Sequence, residues 1–499
     1  MENVDQQKME ILRQRLLPSG SISSDLQALL DFLPACEYEL ISFMAAQTPT
    51  VWSGPVPPPP PNYQLGDGSV ELGLFLFWIN NPQYLTVTLS YFSWKDQLAI
   101  LGLLFTLSEL LAAPQMTDGN AAYFNNNELI YSDGSVLSVE KYATYDQGWF
   151  IAFLNLVLTV KDGLWYNGGN LPAAPPPPVQ MTGANPNTVT IAILGDWGTG
   201  DATADGIKTS LMNKNPDYIV HVGDVYYSGT PSATSPNGDA YFDAGEEPGN
   251  LLALWPSAYA GKSFTLNSNH EMYSGANGYF YDALGVSGNG VSGTPFSAQN
   301  GSSFFALQYG GWTILGLDSA FLASPFDAFM TGSIGGPDGT QGQWIKGLQL
   351  KPENTIVLTH HNGFAFDASG RSTFWAEING ALNGDPYAWY WGHVHNGIAY
   401  DRPITIPPTS TEPGLTTNTF ARCLGHAALP YGPSTDLASA PVAWYATNLQ
   451  PSPSKQLYNG YAILTLTTNS ENQLTGISES FYDLSQEGAV WTNTIYPVA

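Results

Sequence analysis

Between residues 188 and 400, short apolar runs recur, and each is broken off by a polar group at its far end. They are "TVTIAILGDWG" from 188, "PDYIVHVGD" (216–224), "FTLNSNHEMY" (264–273), "ENTIVLTHH" (353–361) and "AWYWGHVH" (388–395). Runs of four to seven Val, Ile, Leu and aromatic residues without alternation read as strands buried on both faces. Helical patterns lie between them at "ADGIKTSLMNKN" and "QGQWIKGLQL", and "SFFALQYGGWTILGLDSA" (303–320) reads as a strand pair. Strand–helix alternation predicts an α/β sheet whose polar strand ends gather at one edge. "YNGYAILTLTTN" and "LTGISESFYD" predict a further strand pair downstream, and the Gly/Ser/Asn-rich stretch 285–303 reads as a surface loop.

The first third has another texture. Apolar positions at helical spacing mark 3–17, 24–33, 36–46, 92–113 and 146–162, and proline runs occupy 56–63 and 171–180. Proline lacks the N–H that a helix interior needs, so the second run reads as a break in regular structure. The expected organisation is a mainly helical N-terminal domain over 1–170, a proline-rich linker over 171–187, and an α/β domain over 188–499. The apolar runs 98–113 and 149–160 are shorter than the roughly 18 residues of a membrane span. They read as core helices, with a lipid-contacting N-terminal domain as the alternative. The opening residues lack the basic and then apolar pattern of a Sec-type signal, so the default expectation is a cytoplasmic protein.

Composition narrows the partners. The chain of 499 residues carries 42 acidic against 15 basic residues, a net charge of −27. A nucleic-acid-binding surface is therefore not expected, because such surfaces concentrate Lys and Arg. A small phosphorylated substrate would need something other than a basic surface to hold it, which points to metal. Two cysteines, Cys36 and Cys423, do not make a disulfide framework.

The strand ends supply the chemistry: Asp196, Asp224 with Tyr227, Asn269 with His270, His360 with His361, and His393 with His395. Of the 7 histidines in the chain, five stand here. Carboxylate, amide and imidazole donors without thiols suit Fe, Mn or Zn.

In the order GDWG (195–198), GDVYY (223–227), NHE (269–271), THH (359–361) and GHVH (392–395), these motifs resemble the calcineurin-like metallophosphoesterases, and within them the purple acid phosphatases. The resemblance implies a sheet sandwich flanked by helices and a centre of two metal ions. Asp196, Asp224, Tyr227 and His395 would bind Fe(III) in the first site. Asp224, Asn269, His360 and His393 would bind Fe, Zn or Mn in the second. It further implies hydrolysis of phosphate monoesters by a metal-bound hydroxide, with His270 as proton donor. His361 competes with His360 as ligand and otherwise serves the substrate. Tyr226 is a rival to Tyr227, though the spacing of the resemblance favours Tyr227. Gly198 stands where the wider superfamily has a ligating histidine, and the tyrosine compensates. Ser268 stands where a glycine commonly precedes Asn-His, and "NGIAYDRP" follows GHVH in place of the usual continuation. A phosphodiesterase acting on nucleotides or phospholipids with the same centre is the alternative activity. A scaffold with a degenerate site is the alternative class.

Overall fold

The computed structural model describes 123–125, 128–130, 136–138, 141–142 and 148–497, apart from 172–174, 289, 292, 326–327, 410–411, 435 and 452–455. The expected helices at 3–17, 24–33, 36–46 and 92–113, the first proline run and Cys36 lie outside these residues. The chain divides into two compact units, Met1–Leu154 and Asn155–Ala499. In the first, β1 (Tyr123–Asn125), β2 (Glu128–Ile130) and β3 (Val136–Ser138) form an antiparallel sheet. Helix α1 covers Gly148–Asp162, as the pattern over 146–162 predicts.

The second unit begins ahead of the second proline run. Asn155 Nδ2 donates to Ser228 Oγ (3.1 Å), Thr159 Oγ1 donates to the Tyr273 carbonyl (2.8 Å), and Tyr166 stacks on Phe280 with centroids 4.0 Å apart. Residues 155–170, which the sequence assigns to the N-terminal domain, are thus held within the second unit. The run itself ends in β4 (Val179–Gln180), a short strand parallel to a later one, and Met181 enters the core.

Six strands make one sheet. β5 (Thr188–Leu194), β6 (Tyr218–His221) and β7 (Ser263–Thr265) are parallel to one another. Helix α2 (Ala202–Lys214) connects the first two, capped by Asp201 accepting from the Ala204 N–H, and a helical turn α3 (Asn269–Met272) follows β7. After the two-residue strands β8 (Val286–Ser287) and β9 (Gly290–Val291), the second sheet opens with β10 (Phe305–Tyr309) and β11 (Trp312–Gly316), the expected hairpin. Helix α4 (Thr340–Gly347), β12 (Thr355–Thr359), α5 (Thr373–Leu382) and β13 (Ala388–Trp391) follow, then β14 (Gly397–Tyr400). The small pair β15 (Ile404–Ile406) and β16 (Leu415–Thr417) stands apart. β17 (Phe420–Leu424) and β18 (Val442–Tyr445) complete the eight-stranded order β18-β14-β17-β13-β12-β11-β10-β4. The long antiparallel strands β19 (Gly460–Thr468), β20 (Leu474–Asp483) and β21 (Trp491–Tyr496) return to the first sheet, giving β21-β20-β19-β5-β6-β7.

Alternation along the strands explains the layering. Ile191, Ile193, Ile356, Leu358 and Tyr390 share one core between the sheets. Their neighbours Ala192 and Leu194 pack outward with Ile207 and Leu211 of α2. On the other side, Val357 and Trp389 pack with Phe374 and Ile378 of α5. Two stacked sheets with helices on both outer faces are the expected α/β sandwich. One expectation needs correction: 285–303 is not simply a surface loop. Phe296 is fully buried, 4.8 Å from Trp255 between ring centroids, and Gln299 bonds the backbone of Thr265.

Candidate metal centre

The parallel strands of both sheets deliver their carboxyl ends to one place. Asp196 follows β5, Asp224 follows β6 and His393 follows β13, with φ of 58°, 78° and 65°. This left-handed region costs a side-chain-bearing residue about 1–2 kcal/mol. Mutual contacts hold it: the Asp196 N–H donates to the Gly223 carbonyl (2.9 Å) and the His393 N–H donates to Asp196 Oδ2 (2.9 Å). Gly223 has φ 103°, and a Cβ there would stand 2.8 Å from His360 Nδ1. No other residue fits that turn.

The side chains fall into two groups that share Asp224. On one side, the Tyr226 hydroxyl lies 2.5 Å from Asp224 Oδ2, 3.1 Å from Asp196 Oδ1 and 3.3 Å from His395 Nε2. His395 Nε2 is 3.4 Å from Asp196 Oδ1. On the other, His360 Nε2 is 3.2 Å from Asp224 Oδ1 and 2.8 Å from Asn269 Oδ1, which His393 Nδ1 approaches to 3.1 Å. The aspartate thus turns one oxygen to each group.

The chemistry of these donors fits metal. His360 Nδ1 meets the Val222 carbonyl at 2.9 Å and so carries a proton, which leaves Nε2 as the nitrogen that faces the carboxylate. Asp196, Asp224 and His360 offer ligand atoms all within 4.8 Å of one another, as do His360, His361 and His393. Burial, then the neighbouring Asp224, pushes the Asp196 carboxyl well above its usual range. For Asp224 burial acts upward too, but His360 and His270 outweigh it and hold the group low. Burial and both carboxylates push the Tyr226 phenol far above 10, while burial depresses His393. Two buried carboxylates beside a cluster of histidine nitrogens are a donor set that a cation would balance.

His270 lies beside both groups. Its Nδ1 meets the Tyr227 carbonyl at 2.6 Å, leaving Nε2, 3.9 Å from Asp224 Oδ2, as the nitrogen facing the site. His361 has both nitrogens engaged, Nδ1 with Ser319 Oγ (2.8 Å) and Nε2 with the Phe329 carbonyl (2.7 Å). Of the two adjacent histidines, His360 is the one turned to Asp224.

The tyrosine predicted by spacing is not the one that reaches the carboxylates. Tyr227 is held through its backbone, its N–H donating to Glu246 Oε1 (2.6 Å), and the hydroxyl between Asp196 and Asp224 belongs to Tyr226. Gly198 and Val225 form a parallel bridge that prolongs the β5–β6 pairing, and the Tyr226 N–H donates to the Gly198 carbonyl (2.9 Å), which fixes residue 226 beside Asp196 and Asp224 as the chain enters the turn over 226–228. Gly198 contributes close approach: a Cβ on it would meet the Asp224 carbonyl at 2.7 Å. Trp197 is core, its Nε1 donating to the Ala204 carbonyl. His221 is buried on Thr265, and His426, in the loop after β17, is buried against the backbone of Gly397 and Gly460. Sequence reasoning missed Ser268, whose hydroxyl touches Asp224 Oδ1.

With this geometry in view, residues 189–397 match the family model described as calcineurin-like phosphoesterase. No curated protein matches the chain. Among solved structures the chain is similar to one described as GAP50, the anchor in the inner membrane complex of Plasmodium. The identity is 12% and the TM-score 0.40, over 62% of this chain and 88% of that one. The family match and the His/Asp groups support a metal-dependent phosphoesterase. Among the described residues, no helix is long and apolar enough to cross a membrane.

Proposed function

We propose that the protein hydrolyses phosphate monoesters at a two-metal centre of the purple acid phosphatase type. The observation that carries the reading is the division of Asp224, with Oδ2 turned to Tyr226 and Oδ1 to His360. Asp196, Asp224, Tyr226 and His395 would hold the first ion, and Asp224, Asn269, His360 and His393 the second. A phenol pushed far above its ordinary pKa by burial and by two carboxylates becomes a ligand only beside a strongly charged ion, which favours Fe(III) in the first position and Fe, Zn or Mn in the second. Bound there, the pair would polarise the phosphoryl oxygens and lower the pKa of a water to about 7.

The chain's own groups do the rest. As the P–O bond to the leaving group breaks, His270, entering the step as the imidazolium with Nδ1–H on the Tyr227 carbonyl, would give its Nε2 proton to the departing oxygen and be left neutral. The Nδ1 contact with the Tyr227 carbonyl fixes the ring for that transfer. His361, anchored at both nitrogens, keeps His360 and His393 in place with its ring 5.0 and 4.7 Å from theirs. The substrate is a small phosphorylated molecule. The test is turnover of para-nitrophenyl phosphate against bis(para-nitrophenyl) phosphate, with metal content measured on the same sample. Preference for the monoester with two ions per chain is expected. Preference for the diester would replace the monoesterase reading with a phosphodiesterase, and two empty sites without activity would make the domain a scaffold.

A further inference from the structure

Ser268 ends the loop after β7 and caps the helical turn α3, its Oγ accepting from the His270 N–H at 3.1 Å. The same oxygen touches two acids, Asp224 Oδ1 and Glu271 Oε2. A cap needs only the first of these contacts. All three residues are buried, and Gly223 presses on the serine: a Cβ on that glycine would stand 2.9 Å from Ser268 Cβ. The hydroxyl is therefore fixed between the shared aspartate and a glutamate that contributes no atom to either donor group.

We propose that Ser268 is a positioning residue for the metal centre, holding the plane of the Asp224 carboxylate so that its two oxygens stay divided between the two groups. The inference rests on the reading of Asp224 as the shared ligand. Among the described residues, Ser268 is the hydrogen-bond donor to Oδ1, and His360 Nε2, 3.2 Å away, itself faces the metal position. Without the serine, the carboxylate can rotate about its terminal torsion, which is broad for aspartate, and present both oxygens to one side. Partners of this outer kind typically change metal affinity by about 10–100-fold. Glu271 Oε2 is the hydroxyl's second contact, and among the described residues Glu271 Oε1 and both oxygens of buried Glu247 meet no hydrogen-bond partner. The serine is thus the link between the centre and an otherwise unpaired acidic pocket.

The test is zinc affinity of the full chain by competition with a chromophoric chelator, together with thermal stability of the metal-free protein. Ser268→Ala should weaken zinc binding by about 10–100-fold. Ser268→Cys, close in shape but a far weaker donor, should weaken it similarly. If the serine were only a helix cap, Ser268→Ala would lower the melting temperature of the metal-free protein and leave zinc affinity unchanged, which overturns the proposal. Should the alanine variant fail to fold, unchanged affinity in Ser268→Cys overturns it equally. A wild type that binds none of zinc, manganese or iron would instead defeat the two-metal reading itself, a distinct outcome.

Discussion

The two sheets bring different chemistry to the centre. The six-stranded sheet and its loops supply Asp196, Asp224, Tyr226 and Asn269, all oxygen donors, while the eight-stranded sheet supplies His360, His393 and His395, all nitrogen donors. They also differ in how they are anchored. The oxygen half is tied to itself, through Tyr226 on both aspartates and Ser268 on Asp224. The nitrogen half leans on the other: His360 is oriented by the Val222 carbonyl and the His393 N–H by Asp196 Oδ2. Damage to the oxygen half should therefore spread to both ions, whereas damage to the nitrogen half should stay local.

The largest expected effect tests that asymmetry directly. Asp224→Asn should empty both positions and reduce turnover by more than the roughly 10–100-fold typical of an outer partner. His393→Ala should empty only the second. Elemental analysis of the two variants decides, and equal loss of both ions in each would abolish the distinction between the halves.

His270→Ala comes next. Turnover should fall by about 10²–10⁴ with both ions kept, and fall least for substrates with good leaving groups. An equal loss for phenyl and nitrophenyl phosphates would remove the proton-donor role.

A smaller effect concerns the tyrosines. Phenolate on Fe(III) absorbs in the visible, so iron-loaded protein should be violet to pink. Tyr226→Phe should bleach it and Tyr227→Phe should not. Bleaching by Tyr227→Phe alone would return the ligand to the position that spacing favours.

The smallest effect is on stability. Burial lowers the pKa of His426, packed against Gly397 and Gly460, to about 3. Its unfolded value is about 6.5. Between these values the unfolded chain takes up a proton that the folded chain refuses, so stability present above pH 6.5 is lost on acidification. At pH 5 this one group costs about 2 kcal/mol. His426→Gln should flatten the fall in denaturant midpoint between pH 6.5 and 4. A slope identical to wild type would show that the ring is protonated in the folded protein.

Local signals carried most of the sandwich. Gly195-Asp196, Gly223-Asp224 and Gly392-His393 were readable because an apolar strand and the glycine that ends it lie side by side in sequence, and His360 because it directly follows the apolar strand Thr355–Thr359. What was not readable depends on distant partners. The choice of Tyr226 over Tyr227 needs the bridge between Gly198 and Val225. The role of Ser268 needs Asp224, and the burial of Phe296 within a polar stretch needs Trp255. The place of 155–170 needs Ser228 and Tyr273, far along the chain. Between His360 and His361 the sequence offers two identical side chains, and only the carbonyl of Val222 separates them.

The left-handed backbone at Asp196, Asp224 and His393 sets a trade-off between durability and function. A glycine at any of the three positions would relax the main chain and, at Asp224, remove a buried negative charge as well. Variants selected only for heat resistance should therefore drift toward Gly or Asn at these positions, gaining robustness as they lose the centre. A laboratory selection that scores survival but not catalysis would erode the active region first, and the sandwich that carries it last.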